Sequence, residues 1–564
     1  MQWKVIPIPE KSKIEQLQKT LGVPSMVAQI LLQRGIESFD KAKIFFRPEW
    51  SHLHDPFLME DMKVATDRIL SAIAQNEKVM IFGDYDVDGT TSVALVYSFL
   101  KNKIQILHPY IPDRYKEGYG ISKIGIDVAN QNGISLIIAL DCGIKAMEEV
   151  TYAKSLGIDF IICDHHQPDD ELPEAIAILD PKRKDCNYPY KELCGCGIGF
   201  KLIQALQIII GSPESELASY TDLVATAIAA DIVPISGENR TLTFLGIKQL
   251  KNFPRIGFQF FLKSLKNSIT VTDLIFVIAP RINAAGRMDH GLNAVRLLIS
   301  TELEEALSIS RSIEFFNTER KSTDERITKE AIQQIELNQE QEKSSTVVFH
   351  PSWHKGVIGI VASRLIEQYY RPTVVLTKSD ELLSGSVRSV SGFDVYQALH
   401  ACKDFMIQFG GHKYAAGLTL GLDQFKGFKA AFDAYVVKNI KPDQLKPTLI
   451  YDSLIDFAEL NEKLLRILNQ MAPFGPKNMR PTFVTMGCKD KGGTRLVGQD
   501  KNHLKLELID CNGDTIHGIG FGLGSHLLKI KEQISFSVLY TLDENDFNGI
   551  KSLQIKVKDL KFEE

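Results

Sequence analysis

The sequence predicts a multidomain α/β protein: a parallel α/β domain joined by a long helix to a smaller α/β domain, followed by a C-terminal β-barrel of OB type. Three observations predict it. In the first half, short β-branched runs alternate with helical stretches, as the βα units of a parallel sheet require. A stretch without Gly or Pro then runs between Gly291 and Pro351. Beyond it the texture changes to strand-like runs with partial alternation of apolar and polar residues.

Residues 1–45 form a polar, helix-compatible lead-in. Within 46–290 the runs are "KVMIF", "SLIIAL", "DFIIC" and "AIAIL", each too short for a helix and rich in Ile or Val. Residues 291–342 contain "ALSISRSIEFFNTERKSTDERITKEAIQQIEL", charged and with apolar positions at helical spacing. Roughly 45 residues of helix would extend about 70 Å, too far for one compact domain, so the stretch reads as a strut that sets two lobes apart and leaves a channel for a single strand. Residues 343–445 carry a second α/β pattern in "STVVF", "TVVLT" and the Gly-rich "QFGGHKYAAGLTL". In 446–564, "TFVTMGC", "HLKLELI", "DTIHGIG", "ISFSVLY" and "LQIKVKDL" match the strand count of an OB-type barrel.

With 564 residues, 44% hydrophobic and 24% charged, the chain has room for roughly three or four ordinary globular domains. No run of about 18 apolar residues could span a bilayer, and "MQWKVIPIPEKSK" lacks the apolar core of a signal peptide. A cytosolic protein is expected. The eight cysteines agree: they are scattered, and Cys194 and Cys196 lack the spacer of a zinc knuckle, so reduced and mostly buried thiols are expected. A net charge of −5 argues only weakly against a nucleic-acid partner, because bound cations reverse the local sign of an acidic site.

The ends of the apolar runs carry the chemistry. "VMIF" leads into "GDYDVDG", with Asp84, Asp86 and Asp88; "SLIIAL" is followed by Asp141, "DFIIC" by Asp164, His165 and His166, and the apolar segment "VATAIAA" by Asp231. In open α/β sheets ligands bind outside the carboxyl ends of the strands, so read as four strand ends these residues converge on one crevice. One Asp after a strand is usually a helix cap, and "DYDVDG" alone could be a turn or a calcium-like loop. Four run ends with the same chemistry are poorly explained that way. So many carboxylates in one crevice would repel each other unless divalent cations intervened. Carboxylates with imidazoles suit Mn²⁺ or Mg²⁺, and two ions about 4 Å apart would share a bridging carboxylate and activate water against a phosphoryl group. The chemistry implied is metal-assisted phosphoester hydrolysis.

In this order, "GDYDVDG", "DCG", "DHH" and "ADIVP" resemble the DHH phosphoesterase superfamily, and "GGHKYAAG" resembles its associated C-terminal domain. "IPDRYKEGYG", "PRINAAGRM", "WHKGVIGIVASRL" and "SVRSVSGFDV" are similar to blocks of the superfamily's single-strand-specific 5′-to-3′ exonucleases, a likeness that runs from about residue 46 onward. The resemblance implies that Asp84 and Asp86 ligate metal, that Asp141 bridges two ions, and that His165 and Asp231 complete the second site. Asp88 falls where it could be a ligand or an outer base. Asp164 is expected to orient an imidazole, and His166 to face substrate. Related phosphatases place a histidine where this chain has Met80, so one metal should have fewer protein ligands.

The resemblance further implies that Arg114, and Ser386 with Arg388, hold a 5′-phosphate, for which arginine's planar fork is suited. Arg281, Asn283 and Arg287 are expected beside the scissile bond. His412, after Gly410 and Gly411, could bind a phosphate or the leaving oxygen, or could be a turn residue. Tyr115, Tyr119, Phe393 and Tyr414 are candidate stacking residues or core. Lys489, Lys491, Arg495, Lys501, His503 and Lys505 concentrate positive charge in the barrel, as a groove for single strands or a solvated face. The expected function is a monomeric Mn²⁺- or Mg²⁺-dependent exonuclease on single-stranded DNA in repair and recombination, working with a single-strand-binding protein and a helicase. The rivals are a phosphodiesterase for oligoribonucleotides or cyclic dinucleotides, and a non-catalytic nucleic-acid scaffold.

Overall fold

The computed structural model describes residues 1–265, 268–547 and 549–563, in two compact units. The larger unit comprises Trp3–Ala279, Val295–Ala306 and Leu449–Glu564, the smaller Met1–Gln2, Pro280–Ala294 and Leu307–Thr448.

The larger unit is built on a five-stranded sheet in the order Leu107–Tyr110, Val79–Gly83, Leu136–Leu140, Asp159–Cys163 and Ala177–Leu179, with every pair parallel. The central strands are buried along their length, as a sheet covered on both faces requires, and this is why they read as unbroken apolar runs. After Val79–Gly83 the chain crosses to one side, to Leu107–Tyr110, and then to the other, to Leu136–Leu140. This reversal opens a crevice at the carboxyl ends of Val79–Gly83 and Leu136–Leu140. Met80 is buried mid-strand among Phe82, Ile126 and Ile137, so the position that is histidine in related phosphatases serves the core here.

One expectation is corrected. The segment before Asp231 is not a strand but the helix Thr221–Ala230, with Asp231 as its C-cap residue. Alanine carries the highest helix propensity, and an apolar run of this length does not reveal its period.

The C-terminal part of this unit is a ring. Thr482–Asp490, Phe536–Phe547, Ile550–Phe562, Thr515–Gly520 and His503–Ile509 pair in succession, and Thr482–Asp490 pairs again with His503–Ile509 to close it. The lead-in is not separate from this barrel. The helices Lys11–Leu21, Ser25–Gln33 and Phe39–Phe46 contribute Leu17, Ile30 and Phe45 to the same apolar cluster as Phe483, Leu506 and Tyr540.

The smaller unit holds a mixed five-stranded sheet in the order Gln408–His412, Ala415–Gly421, Leu382–Arg388, Thr373–Ser379 and Thr346–Phe349. Only the pair Thr346–Phe349 with Thr373–Ser379 is parallel. The Gly-rich motif is a hairpin.

The connecting stretch is two helices rather than one, Leu292–Ile299 and Leu303–Leu337. Between them the Ser300 hydroxyl donates to the Glu302 carbonyl and the Glu305 carboxylate. Local side-chain bonding of this kind competes with helical bonding and starts a new helix without Gly or Pro.

Candidate metal centre

Asp84 follows the strand Val79–Gly83 and is fully buried. Its Oδ1 accepts the Gly120 N–H at 3.3 Å, and its Oδ2 has no hydrogen-bond partner among the described residues. Gly89 lets the next helix close on it, since a Cβ there would stand 2.3 Å from the Asp84 carbonyl oxygen. Asp86 caps that helix, Val87–Leu100, by accepting the Gly89 N–H at 3.1 Å. Asp88 lies in its first turn and points at another helix start: Gly195 N–H and Cys196 N–H donate to its two oxygens at 2.7 and 2.8 Å. Backbone N–H groups at a helix start are suited to holding a carboxylate.

Asp141 follows Leu136–Leu140 in the left-handed region, with φ of 61°. A Cβ on Gly195 would lie 2.5 Å from the Asp141 Cβ, so glycine is required there and the carboxylate has little room to turn. The third strand delivers Asp164, His165 and His166. His165 Nε2 lies 3.2 Å from Asp141 Oδ1, 3.7 Å from Asp231 Oδ2 and 3.8 Å from Asp88 Oδ2. Asp164 Oδ1 sits 2.7 Å from His166 Nδ1, while its Oδ2 accepts the Ile144 N–H. The imidazole that Asp164 orients is therefore His166.

The electrostatics follow from burial. Burial, then Asp86, holds the Asp84 carboxyl well above its ordinary value; burial, then Asp88, does the same to Asp141. Asp88 is raised to about 6 by burial and Asp86, against the pull of its two N–H donors. Asp231 is raised to about 8 by burial, Asp88 and Asp86, and a helix C-terminus is itself a poor place for an anion. Burial and the neighbouring His166 lower His165 to about 3, so it is a neutral imidazole. Burial opposes the charge on His166, yet its bond to Asp164 raises it to about 9.

These residues fit a divalent cation. Asp84 Oδ2, Asp141 Oδ1 and both nitrogens of His165 are buried without hydrogen-bond partners among the described residues, and such groups are costly unless something else satisfies them. Ligand atoms of Asp141, His165 and His166 lie within 4.8 Å of one another, as do those of Asp88, His165 and Asp231. Asp84 and Asp86 fall outside both trios, although Asp86 repels Asp84 and Asp88 strongly enough to raise both.

An aromatic path leads away from the centre. Tyr119 OH lies 3.3 Å from His166 Nε2, the Tyr119 and Tyr85 ring centroids are 6.0 Å apart, and the Arg114 guanidinium stands 4.6 Å over the Tyr85 ring. Tyr115 and Tyr119 are exposed, whereas Phe393 is buried core of the smaller unit and Tyr414 is exposed in its hairpin turn.

In the smaller unit, strand register aligns the remaining candidates. Ser386 faces Gly417, which faces Gly410; Arg388 faces Ala415, which faces His412. Directly opposed residues share a sheet face, so Ser386, Arg388, Gly410 and His412 lie on one surface with little side-chain bulk between them. Gly359, in the first turn of helix Ile358–Tyr369, approaches the same place: a Cβ there would lie 3.0 Å from Ser386 Oγ and 3.1 Å from Arg388 Nη2. Gly411 has φ of 139° and its Cβ would strike the Ala415 carbonyl oxygen at 2.5 Å. Arg281, Asn283 and Arg287 share the helix Ala279–Met288, where Arg281 bonds to Glu314 at 2.6 Å and Arg287 donates to the Gly356 carbonyl at 2.9 Å. In the barrel, Arg495 is directly opposite Lys505, and Lys491 is paired with Glu507.

Family models match three segments: the DHH family N-terminal domain over residues 78–228, the DHHA1 domain over 342–438 and the RecJ OB domain over 451–559. The single-stranded-DNA-specific exonuclease RecJ of Bacillus subtilis (strain 168) is 35% identical over 570 residues, covering 99% of this chain and 70% of that protein. The chain belongs to the RecJ family. RecJ of Escherichia coli (strain K12) is 31% identical, covering 95% of this chain and 96% of its own. The crystal structure of RecJ in complex with Mn²⁺ from Thermus thermophilus has a TM-score of 0.86 at 26% identity, over 100% of this chain and 80% of that one. A structure of exonuclease RecJ bound to manganese matches 70% of this chain and 98% of its own, with a TM-score of 0.61 at 29% identity.

Two features of this RecJ-family centre are absent from the sequence reading, one of them legible in the letters. The Gly195 and Cys196 donors are backbone groups; only the closely spaced glycines of "GCGIG" hint at them. Asp180, which follows Ala177–Leu179, is fully buried with Oδ2 unpartnered among the described residues, and burial, with Asp164 nearby, raises it to about 7. "AIAILD" carried the same signal as the other strands.

Proposed function

We propose that this chain is a Mn²⁺- or Mg²⁺-dependent exonuclease that hydrolyses single-stranded DNA from its 5′ end and releases mononucleotides. The observation that carries the reading is the set of buried ligand atoms on Asp84, Asp141 and His165 that have no hydrogen-bond partner among the described residues, in a chain alignable with RecJ proteins over nearly its whole length. Asp84, Asp86, Asp88, Asp141, His165 and Asp231 would hold the cations, which when bound polarise phosphoryl oxygens and lower the pKa of water.

The chain's own residues do the rest. Asp88 is fixed by Gly195 and Cys196, and the packing of Gly195 fixes Asp141. His166, charged at neutral pH and oriented by Asp164, offers a donor to a phosphoryl or leaving oxygen. Tyr119 and Tyr85 offer stacking faces for bases without sequence preference. In the smaller unit, Arg388 and Ser386 beside an N-terminal helix turn form a cradle suited to a terminal phosphate, with His412 on the same sheet face. No described helix is long and apolar enough to cross a membrane. We infer a monomer of the cytoplasm, acting in repair and recombination with a single-strand-binding protein and a helicase; the support is the family alone.

Two predictions test the substrate side. Arg388→Gln should raise KM for 5′-phosphorylated strands by about tenfold to a hundredfold, the worth of a charged hydrogen bond, and leave 5′-hydroxyl strands unchanged. Equal loss on both substrates would remove Arg388 from phosphate recognition. Deleting the barrel is a poor test, because its core includes the N-terminal helices. Arg495→Ala with Lys505→Ala should instead flatten the dependence of log K for long single strands on log salt by about one unit, and an unchanged slope would return these residues to a solvated face.

A further inference from the structure

The larger unit contains a second cavity, of about 320 Å³, to which no residue of the metal centre contributes. Among the described residues its lining includes four cationic side chains, Arg34, Lys41, Arg240 and Lys477, and no acidic one. Arg34 is offset by Asp452 at 3.6 Å, and Lys41 by the exposed Glu37. Arg240 is different. It is 4% exposed, and among the described residues its guanidinium donates only to main-chain carbonyls, those of Phe45, Met471, Ala472 and Pro473. Carbonyls solvate a guanidinium without neutralising it. Burial, and then the neighbouring Arg34, lower its pKa to about 9.

Other features sharpen the ligand. The helix Gly237–Asn252 begins at this cavity, and its N-cap Ser236 makes no side-chain cap bond; Glu238 in its first turn is buried and paired with Lys201 at 3.1 Å, so the positive helix end is only partly offset. Phe45, Ile44 and Ile235 supply an apolar wall. The cavity thus calls for an anion with a flat apolar body. Its volume is at the small end of ligand pockets, about 300–1,000 Å³.

We propose that this cavity is a second binding site, for a free nucleoside monophosphate. The phosphate answers Lys41 and Lys477 in the field of Arg240, whose N–H groups are already given to carbonyls, and the base lies on the apolar wall. The choice of ligand rests on the nuclease reading, because mononucleotides are the anions that reaction releases.

The test uses the full chain carrying Arg388→Gln, in chelator, so that neither the metal centre nor the phosphate cradle contributes. Calorimetric titration should show thymidine 5′-monophosphate binding, and thymidine at least about tenfold more weakly, the phosphate contacts being charge-assisted. Lys41→Glu with Lys477→Glu, both at exposed positions, should weaken the monophosphate by about tenfold or more without lowering the unfolding midpoint. Monophosphate binding that ignores the charge reversal, or thymidine binding equally well, overturns the site. So does charge reversal that weakens an oligothymidylate but not the monophosphate, which would make the cavity part of a strand path. An active wild type without charge-sensitive binding overturns the cavity alone; an inactive wild type with it overturns the nuclease reading alone.

Discussion

Asp141→Asn is expected to reduce nuclease turnover on end-labelled single strands on the order of a thousandfold while the protein stays folded. The choice of Asn is structural. Asp141 has φ of 61°, a conformation that Asn tolerates nearly as well as Asp and most other residues do not. The space around it is closed by Gly195, so the substituted side chain keeps its position and loses only its charge and its capacity to ligate. In chelator the variant's unfolding midpoint should be no lower than wild type, because an ionised Asp141 is disfavoured by burial and by Asp88. A non-catalytic scaffold would keep strand binding and show no activity to lose. Retention of more than about a tenth of wild-type turnover would remove Asp141 from the centre, as no ligating carboxylate is so dispensable.

The parts of this site that were legible are those written in side chains at the ends of buried strands. Asp84, Asp141 and Asp164–His166 follow apolar runs because a sheet covered on both faces has only its strand ends free for polar groups. Asp231 was found for the right chemistry and placed on the wrong element, since "VATAIAA" fits a buried helix as well as a strand. The break at Ser300–Glu302 was legible in principle: Ser-Thr before Glu-Leu-Glu-Glu is a helix-start signal, overlooked because Gly and Pro are absent. The union of the first helices with the barrel core joins residues more than four hundred positions apart, which no local pattern encodes. The register that places Ser386 and Arg388 on one face with Gly410 and His412 is likewise a product of strand pairing. That face is the part of the substrate site where pairing, rather than composition, decides which residues act together.

Clustered acids also make the stability of the metal-free protein depend on pH in an unusual sense. Most carboxylates in folded proteins are held below their unfolded values and lend stability at neutral pH. Here Asp88 is raised to about 6, Asp231 to about 8, and Asp84 and Asp141 well above the usual range, all by burial first and neighbouring carboxylates second. With these pKa values raised on folding, the native state binds more protons than the unfolded chain, and stability increases as pH falls through them. His166, raised to about 9, acts in the same direction down to its unfolded value near 6.5. Below that, His165, lowered to about 3, works against the trend, because the unfolded chain then takes up a proton that the buried ring refuses. In chelator the unfolding midpoint should therefore climb from pH 9 to about 6.5, by about 1.4 kcal/mol per pH unit for each net proton taken up on folding. Saturating Mg²⁺ should flatten this dependence, because cations hold the carboxylates ionised in the native state as they already are in the unfolded chain, so the stabilisation by metal is greatest at high pH and shrinks as protons compete at lower pH. Thermal unfolding across this range, with Mg²⁺ and with chelator, gives two curves that converge toward acid. Parallel curves, or a metal-free protein most stable at pH 9, would mean that these acids do not share one cation-binding crevice.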